Sequence, residues 1–245
     1  LARETSSLSV GCHVLLVDAA PLLELQQVST LAYSGSAGPQ FRDSIVDFAW
    51  RAIARRMDEN QIEAEITQQI RKLQSAGIEV SHLDSHKHTH MFPVVFRPML
   101  RAAKKCGIRA VRNPFEPLLF ASGRLWKRHF QVRVLRSLRR GFRRALSEAG
   151  ISTPDGCIGI IATGGLTLNT FRALMESLPE GTWEFVSHPG YNDADLDNVN
   201  TRLRASRELE LSILTSKEAK DILCRRNIAL ISYRDFIQEQ PIHRK

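Results

Sequence analysis

Strand and helix patterns alternate along this chain almost from end to end, and that alternation limits its fold more than any other feature. An apolar run at 8–17 (LSVGCHVLLV) reads as a buried strand. The stretch 32–40, rich in Gly, Ser and Pro, reads as a loop. Helical periodicity follows, with Ile45, Phe48, Ala49, Ala52 and Ile53 on one face. It resumes with Ile62, Ile66, Ile70 and Leu73 along one stripe, and Gly77 sits where a helix C-terminus favours glycine. A strand at 78–84 (IEVSHLD) leads into the polar run SHKHTH. A helix at 94–105 ends before Gly107, and a short strand at 108–112 closes at Asn113-Pro114. Strands at 157–161, 183–187 and 228–231 then alternate with helices at 168–178, 202–214 and 217–226. This order predicts an α/β fold, a parallel sheet or a barrel rather than a sandwich or a bundle. In such folds chemistry gathers at the C-terminal ends of the strands.

At 245 residues, with 43% hydrophobic and 24% charged side chains, the chain is expected to form one domain over 1–245. No apolar run approaches the roughly 18 residues of a membrane span. The net charge of +8 is concentrated: residues 124–144 hold nine Lys/Arg and no acid, and the remainder is about neutral. Trp126, Phe130, Val134, Leu138 and Phe142 recur at i+4 there, which reads as an amphipathic basic helix inserted at about 118–150. Two readings of it stay open: a helix covering the core with its basic face in water, and a peripheral contact with an anionic membrane. No recognised nucleic-acid reader accompanies the charge, so specific nucleic-acid binding is not expected. Cys12, Cys106, Cys157 and Cys224 lie far apart without a C-x-x-C pair and read as free, buried thiols in a reducing cytoplasm. The opening residues LARETSSLSVGC carry no signal-peptide pattern and no Met, and read as a start inside a domain.

The strongest chemical signal is His82-Leu83-Asp84-Ser85-His86-Lys87-His88-Thr89-His90. It puts four histidines and an aspartate in nine residues of a chain with eight histidines. Alternation along a strand places His82, Asp84 and His86 on one side and Leu83 on the other. Imidazole nitrogen and carboxylate oxygen suit zinc or a similar divalent ion, and catalytic sites commonly take three protein ligands. Not all four histidines can be ligands, so at least two are expected to stand behind them as hydrogen-bonding partners. His13 interrupts an apolar strand, where an unpaired polar side chain is costly. It reads either as a satisfied core histidine or as a metal partner from a second strand. His188 ends a strand before the Pro189-Gly190 turn, and suits either proton donation to a leaving group or the capping of that turn. Asp193, Asp195 and Asp197 lack the Gly and distal Glu of a calcium loop and read as loop solvation. Thr163-Gly164-Gly165 matches neither a Walker nor a dinucleotide fingerprint and reads as a turn.

Together these motifs resemble the YdjC-like carbohydrate deacetylases. The run from Val10 to Leu16 (VGCHVLL) resembles the family's GxH strand, and that from His82 to Pro93 (HLDSHKHTHMFP) its most recognisable stretch. Ser187-His188-Pro189-Gly190-Tyr191 resembles its His-Pro motif, Arg207-Glu208-Leu209-Glu210 a later helix, and Ile231-Ser232-Tyr233-Arg234-Asp235 its ending. The likeness spans about 8–237, and the basic insertion is most similar to the hopanoid-biosynthesis branch called HpnK. The resemblance implies a distorted, TIM-like (β/α) barrel with a divalent metal ion, Mg or Zn, in its mouth. It implies His13 and His86 as metal ligands and His188 as proton donor, which leaves His82, His88 and His90 as partners behind the ligands. The family's N-terminal Asp-Asp pair, one ligand and the general base, has no counterpart here, nor do the first strand and helix that carry it. The expectation is therefore a chain truncated at its N-terminus, lacking the first βα unit, poorly soluble and inactive by itself. For a carboxylate from inside the chain, Asp84 is the leading catalytic candidate.

The implied reaction removes an N-acetyl group from an amino sugar, and the HpnK likeness implies a lipid-linked N-acetylglucosamine as the substrate. A metallophosphoesterase or an amidohydrolase of another substrate class is the rival enzyme reading, since both use H-x-H pairs at strand ends. An inactive, membrane-associated binding protein working through 124–144 is the rival from another class. The expected location is the cytoplasm, at the periphery of the inner membrane if the basic helix docks there.

Overall fold

The computed structural model describes residues 4–5, 7–117, 138–197 and 201–239. They fall into two units, one of residues 4–5, 7–112, 138–153 and 231–239, the other of 113–117, 154–197 and 201–230.

In the first unit, Val10–Val14 (β1) emerges from the predicted 8–17 run, whose later residues Leu16 and Val17 are buried outside any strand. The expected loop at 32–40 is instead an antiparallel hairpin, Ala32–Gly35 (β2) with Gly38–Phe41 (β3). Gly and Pro look like loop residues in sequence, but a two-stranded ribbon is all edge and tolerates a proline. Gly38, at φ +116°, follows the tight connection in a conformation that only glycine adopts freely. Ile45–Ile53 (α1) starts where Ser44 accepts from the Asp47 N–H. Its buried face is narrower than expected: Phe48 and Ala52 are inside, while Ile53 is 76% exposed.

Glu59–Ser75 (α2) follows its sequence pattern closely. Asp58 caps it, and Ile62, Ile66 and Ile70 are fully buried, each stabilising the fold by roughly 1.5–3 kcal/mol. The helix also buries Glu65, whose carboxylate accepts from the backbone N–H groups of Leu22 and Leu23 at 2.9 and 3.1 Å. Gln69 bonds both the N–H and the C=O of Leu15. The helix thus clamps the segment that leaves β1.

Val80–Ser85 (β4) pairs in parallel with β1, and Ala110–Val111 (β5) with β4, giving the order β1-β4-β5. The register sets His13 opposite Asp84 and Val14 opposite Ser85. Between β4 and β5 run a 3-10 helix, His86–Met91, and Pro93–Lys105 (α3). Arg139–Ala149 (α4) is the described part of the basic segment; it ends at Gly150 in the left-handed conformation and stacks Phe142 on Phe96. Residues 118–137 of the expected insertion, including most of 124–144, lie outside the described residues. The expected final strand at 228–231 is not formed: Leu230 is 80% exposed and Ile231 42% exposed. Tyr233–Glu239 (α9, the last helix) starts there instead, because Ser232 and Asp235 exchange side-chain to backbone bonds across its first turn.

In the second unit, Gly156–Ile158 (β6) and Trp183–Phe185 (β7) pair in parallel. Leu168–Glu176 (α5), Ala205–Leu214 (α7) and Lys217–Arg225 (α8) follow the sequence pattern, with the short Ala194–Asp197 (α6) before α7. Ile158, Phe171, Leu174, Met175, Ile213 and Ile222 form their common core. The fold is α/β with parallel pairing, as the alternation requires. Its described strands form three separate sheets, and among the described residues they do not close into the expected barrel. Of the cysteines, Cys12 and Cys157 are buried as expected, while Cys224 is exposed.

Candidate active site

The parallel register of β1 and β4 brings the histidine of one strand onto the aspartate of the other. His13 Nδ1 lies 2.7 Å from Asp84 Oδ2, and Arg112, just past β5, donates to the same oxygen at 2.5 Å. Burial alone would raise the Asp84 pKa, but the His13 hydrogen bond and the Arg112 charge hold it down at about 2. Asp84 is therefore a buried, ionised carboxylate.

Gly11 shares the strand face with His13, and the reason for a glycine there is steric. A Cβ at that position would lie 2.4–2.8 Å from three ring atoms of His82. That ring also stacks on Tyr233 of α9 at 3.8 Å, nearly parallel, and its Nδ1 lies 2.9 Å from Ser81 Oγ. The glycine of the GxH pattern thus makes room for a histidine on the neighbouring strand.

Beyond Ser85 the chain turns sharply. Lys87 and His88 both adopt left-handed backbone (φ +51° and +55°), unusual for residues with a Cβ. The turn is held from inside: Ser85 Oγ accepts the His90 N–H at 3.0 Å and lies 2.5 Å from His90 Nδ1. His90 is fully buried, and burial pushes it down to about 3, so it is neutral. His88 is half-buried beside it, with ring centroids 6.3 Å apart.

The turn delivers His86 to His13. Their rings meet edge to face with centroids 5.6 Å apart, and both stay accessible, at 51% for the His13 side chain and 36% for His86. Burial lowers the His86 pKa, which favours the neutral, ligating form. Asp18, which belongs to no motif, lies with Oδ2 3.2 Å from His86 Nε2 and pairs with Lys87. Two accessible imidazoles, each with one nitrogen already on a carboxylate, are a donor set suited to a divalent cation. Among the described residues no group of three His, Cys, Asp or Glu side chains is placed to hold an ion.

His188 belongs to the second unit, just beyond β7. Its N–H donates to Glu210 Oε2 at 2.5 Å, and Glu210 is almost fully buried on α7. The same helix region accepts the Gly190 N–H at Arg207 O and the Asn192 N–H at Glu208 Oε1. The Arg207–Glu210 segment therefore holds the His-Pro-Gly turn. In sequence this segment stood out only as the Arg207-Glu208-Leu209-Glu210 likeness, with no role attached. Asp193, Asp195 and Asp197 are all exposed, but only Asp193 lies in the loop: Asp195 and Asp197 fall in α6, and Asp197 pairs with Arg204.

The YdjC-like protein family matches residues 1–225. The chain belongs to that family. Among its relatives, a carbohydrate deacetylase of Thermoanaerobacter pseudethanolicus is 28% identical over 92% of this chain and 77% of its own length. One of Geobacillus stearothermophilus is 28% identical over 96% and 79%, and one of Listeria monocytogenes serotype 4a is 27% identical over 96% and 81%. In three dimensions the chain is similar to an Enterococcus faecalis V583 protein described as a cellobiose-phosphate cleavage protein. The TM-score is 0.71 at 22% identity, over 96% of this chain and 80% of the other, a likeness of fold alone.

Proposed function

We propose that this YdjC-like chain is a hydrolase that removes the N-acetyl group from an amino sugar. The observation that carries the reading is the His13–His86 pair at the end of two parallel strands, with Asp84 behind it. The carbohydrate deacetylases among its relatives support the substrate class. His13 and His86 would hold a divalent cation, magnesium or zinc, which when bound polarises the acetamide carbonyl and acidifies a water. Asp84 fixes the orientation and tautomer of His13. Bonded to His13 and Arg112, and ionised down to about pH 2, it is a poor proton acceptor, so orientation and not base catalysis is its role in this reading. His188 protonates the departing amine, and Glu210 holds its backbone in place. The products are acetate and the free amino sugar.

The finer reading follows the HpnK resemblance: a lipid-linked N-acetylglucosamine substrate, handled in the cytoplasm. The test uses the full-length protein with N-acetylglucosamine oligosaccharide, N-acetylglucosaminyl lipid and a phosphoester, with and without a chelator. Acetate release that stops on chelation and is lost in His13→Ala and His86→Ala is the expected result. Phosphate release without acetate would overturn it in favour of a metallophosphoesterase.

A further inference from the structure

Asp18 lies four residues beyond β1, where the chain would be expected to wander. It does not. Leu16 and Val17 are buried just before it, and its own N–H donates to Arg42 O at 3.3 Å. Its backbone is left-handed, at φ +59°, a conformation that an aspartate tolerates but that still costs on the order of 1 kcal/mol. Lys87, which pairs with its carboxylate, is left-handed as well. Two strained positions from distant parts of the chain therefore meet in one ion pair, directly beside His86.

The bond chemistry says more. An ionised carboxylate only accepts hydrogen bonds, so a neutral histidine bonded to one must carry its proton on the bonded nitrogen. At His13 that nitrogen is Nδ1, on Asp84, which leaves the Nε2 lone pair free. At His86 it is Nε2, on Asp18, which leaves the Nδ1 lone pair free. The two rings have separate carboxylate partners, acting on opposite nitrogens.

We propose that Asp18 is the positioning residue of His86, fixing its tautomer and aiming its Nδ1 at the cation shared with His13, while Lys87 holds the Asp18 carboxylate in place. This rests on the metal-dependent reading above. In other metal sites, losing such a carboxylate behind a histidine ligand weakens metal affinity about 10- to 100-fold.

The test uses the full-length protein and Asp18→Gly, which removes the carboxylate and suits a positive φ better than the native residue does. Asp18→Asn, which keeps an acceptor and tolerates the same backbone, is the conservative variant. Zinc binding is measured by calorimetry, and the His86 tautomer by long-range nitrogen–proton NMR on metal-free protein. The expected result has two parts: zinc affinity falls 10- to 100-fold in Asp18→Gly and less in Asp18→Asn, and His86 loses its Nε2–H form while His13 keeps Nδ1–H. Unchanged affinity, or a His86 tautomer that does not respond, would overturn the proposal. Wild-type protein that binds no zinc or magnesium would sink the metal reading itself. In that case the tautomer measurement still decides whether Asp18 orients His86.

Discussion

Gly11→Ala should be among the most damaging small substitutions in this protein, because the added methyl has nowhere to go. Ordinary carbon contacts lie at about 3.5–4.0 Å, whereas the new Cβ would sit 2.4 Å from His82 Nε2 and 2.5 Å from Cε1. Such short distances to several ring atoms place the methyl over a ring face. Tyr233 stacks on the ring at 3.8 Å, so the His82 ring must back away by more than ~1 Å and break that stack. Overpacking costs about 1–3 kcal/mol, and the lost ring stack about 0.5–1.5. Together they predict roughly 2–4 kcal/mol, or about 5–15 °C in Tm for a chain of this size. The assay is urea unfolding of wild type, Gly11→Ala, His82→Ala and the double variant. Removing the ring should relieve the methyl, so the double variant should be at least ~1 kcal/mol more stable than the sum of the singles implies. A Gly11→Ala protein within about 0.5 kcal/mol of wild type, or strictly additive singles, would refute the steric account.

Three further outcomes follow from the same contacts. Arg112→Leu leaves the buried Asp84 carboxylate with half of its support, and should cost about 3–5 kcal/mol in a urea titration; a loss below ~1 kcal/mol would mean that His13 alone suffices. Glu116 is pushed up to about 7 by burial, although the N–H groups of Gly159 and Ile161 pull it back. Its folded pKa lies above the unfolded one, so its contribution is full below about pH 4.5 and is lost as pH rises through 7, by at most roughly 3 kcal/mol. Glu116→Gln should flatten that slope in stability measured from pH 4.5 to 8, and an unchanged slope would assign it to other groups. His188→Ala in the full-length protein should keep its zinc affinity while kcat falls about 10²- to 10⁴-fold; lost metal binding with intact turnover of an activated ester would reverse its role.

How much of this could be read in one dimension differs between fold and site. The helices at 59–75, 93–105, 168–176 and 217–225 fall within a few residues of their periodic patterns, because capping and an apolar stripe are local. The hairpin at 32–41 and the missing strand at 228–231 went the other way, because strands exist only where a partner pairs with them. Likewise Ile53 fits the helical period of α1 yet faces water, since the depth to which a helix sinks depends on what covers it.

The sequence alone determined the α/β order of elements, the family, and the crowding of histidine and aspartate at one strand end. These depend on composition and short-range spacing, which a chain carries wherever it folds. Only the tertiary structure sorted that cluster. It set His13 on Asp84 through a parallel register, gave His82 to Gly11 and Tyr233, and buried His90 as a neutral core residue. It also brought in Asp18, Arg112 and Glu210, none of which any motif singled out for a role. Each of these acts across tens of residues, through strand register, left-handed turns or a buried helix face. Those features leave no periodic trace in sequence, because their partners become neighbours only when the chain folds.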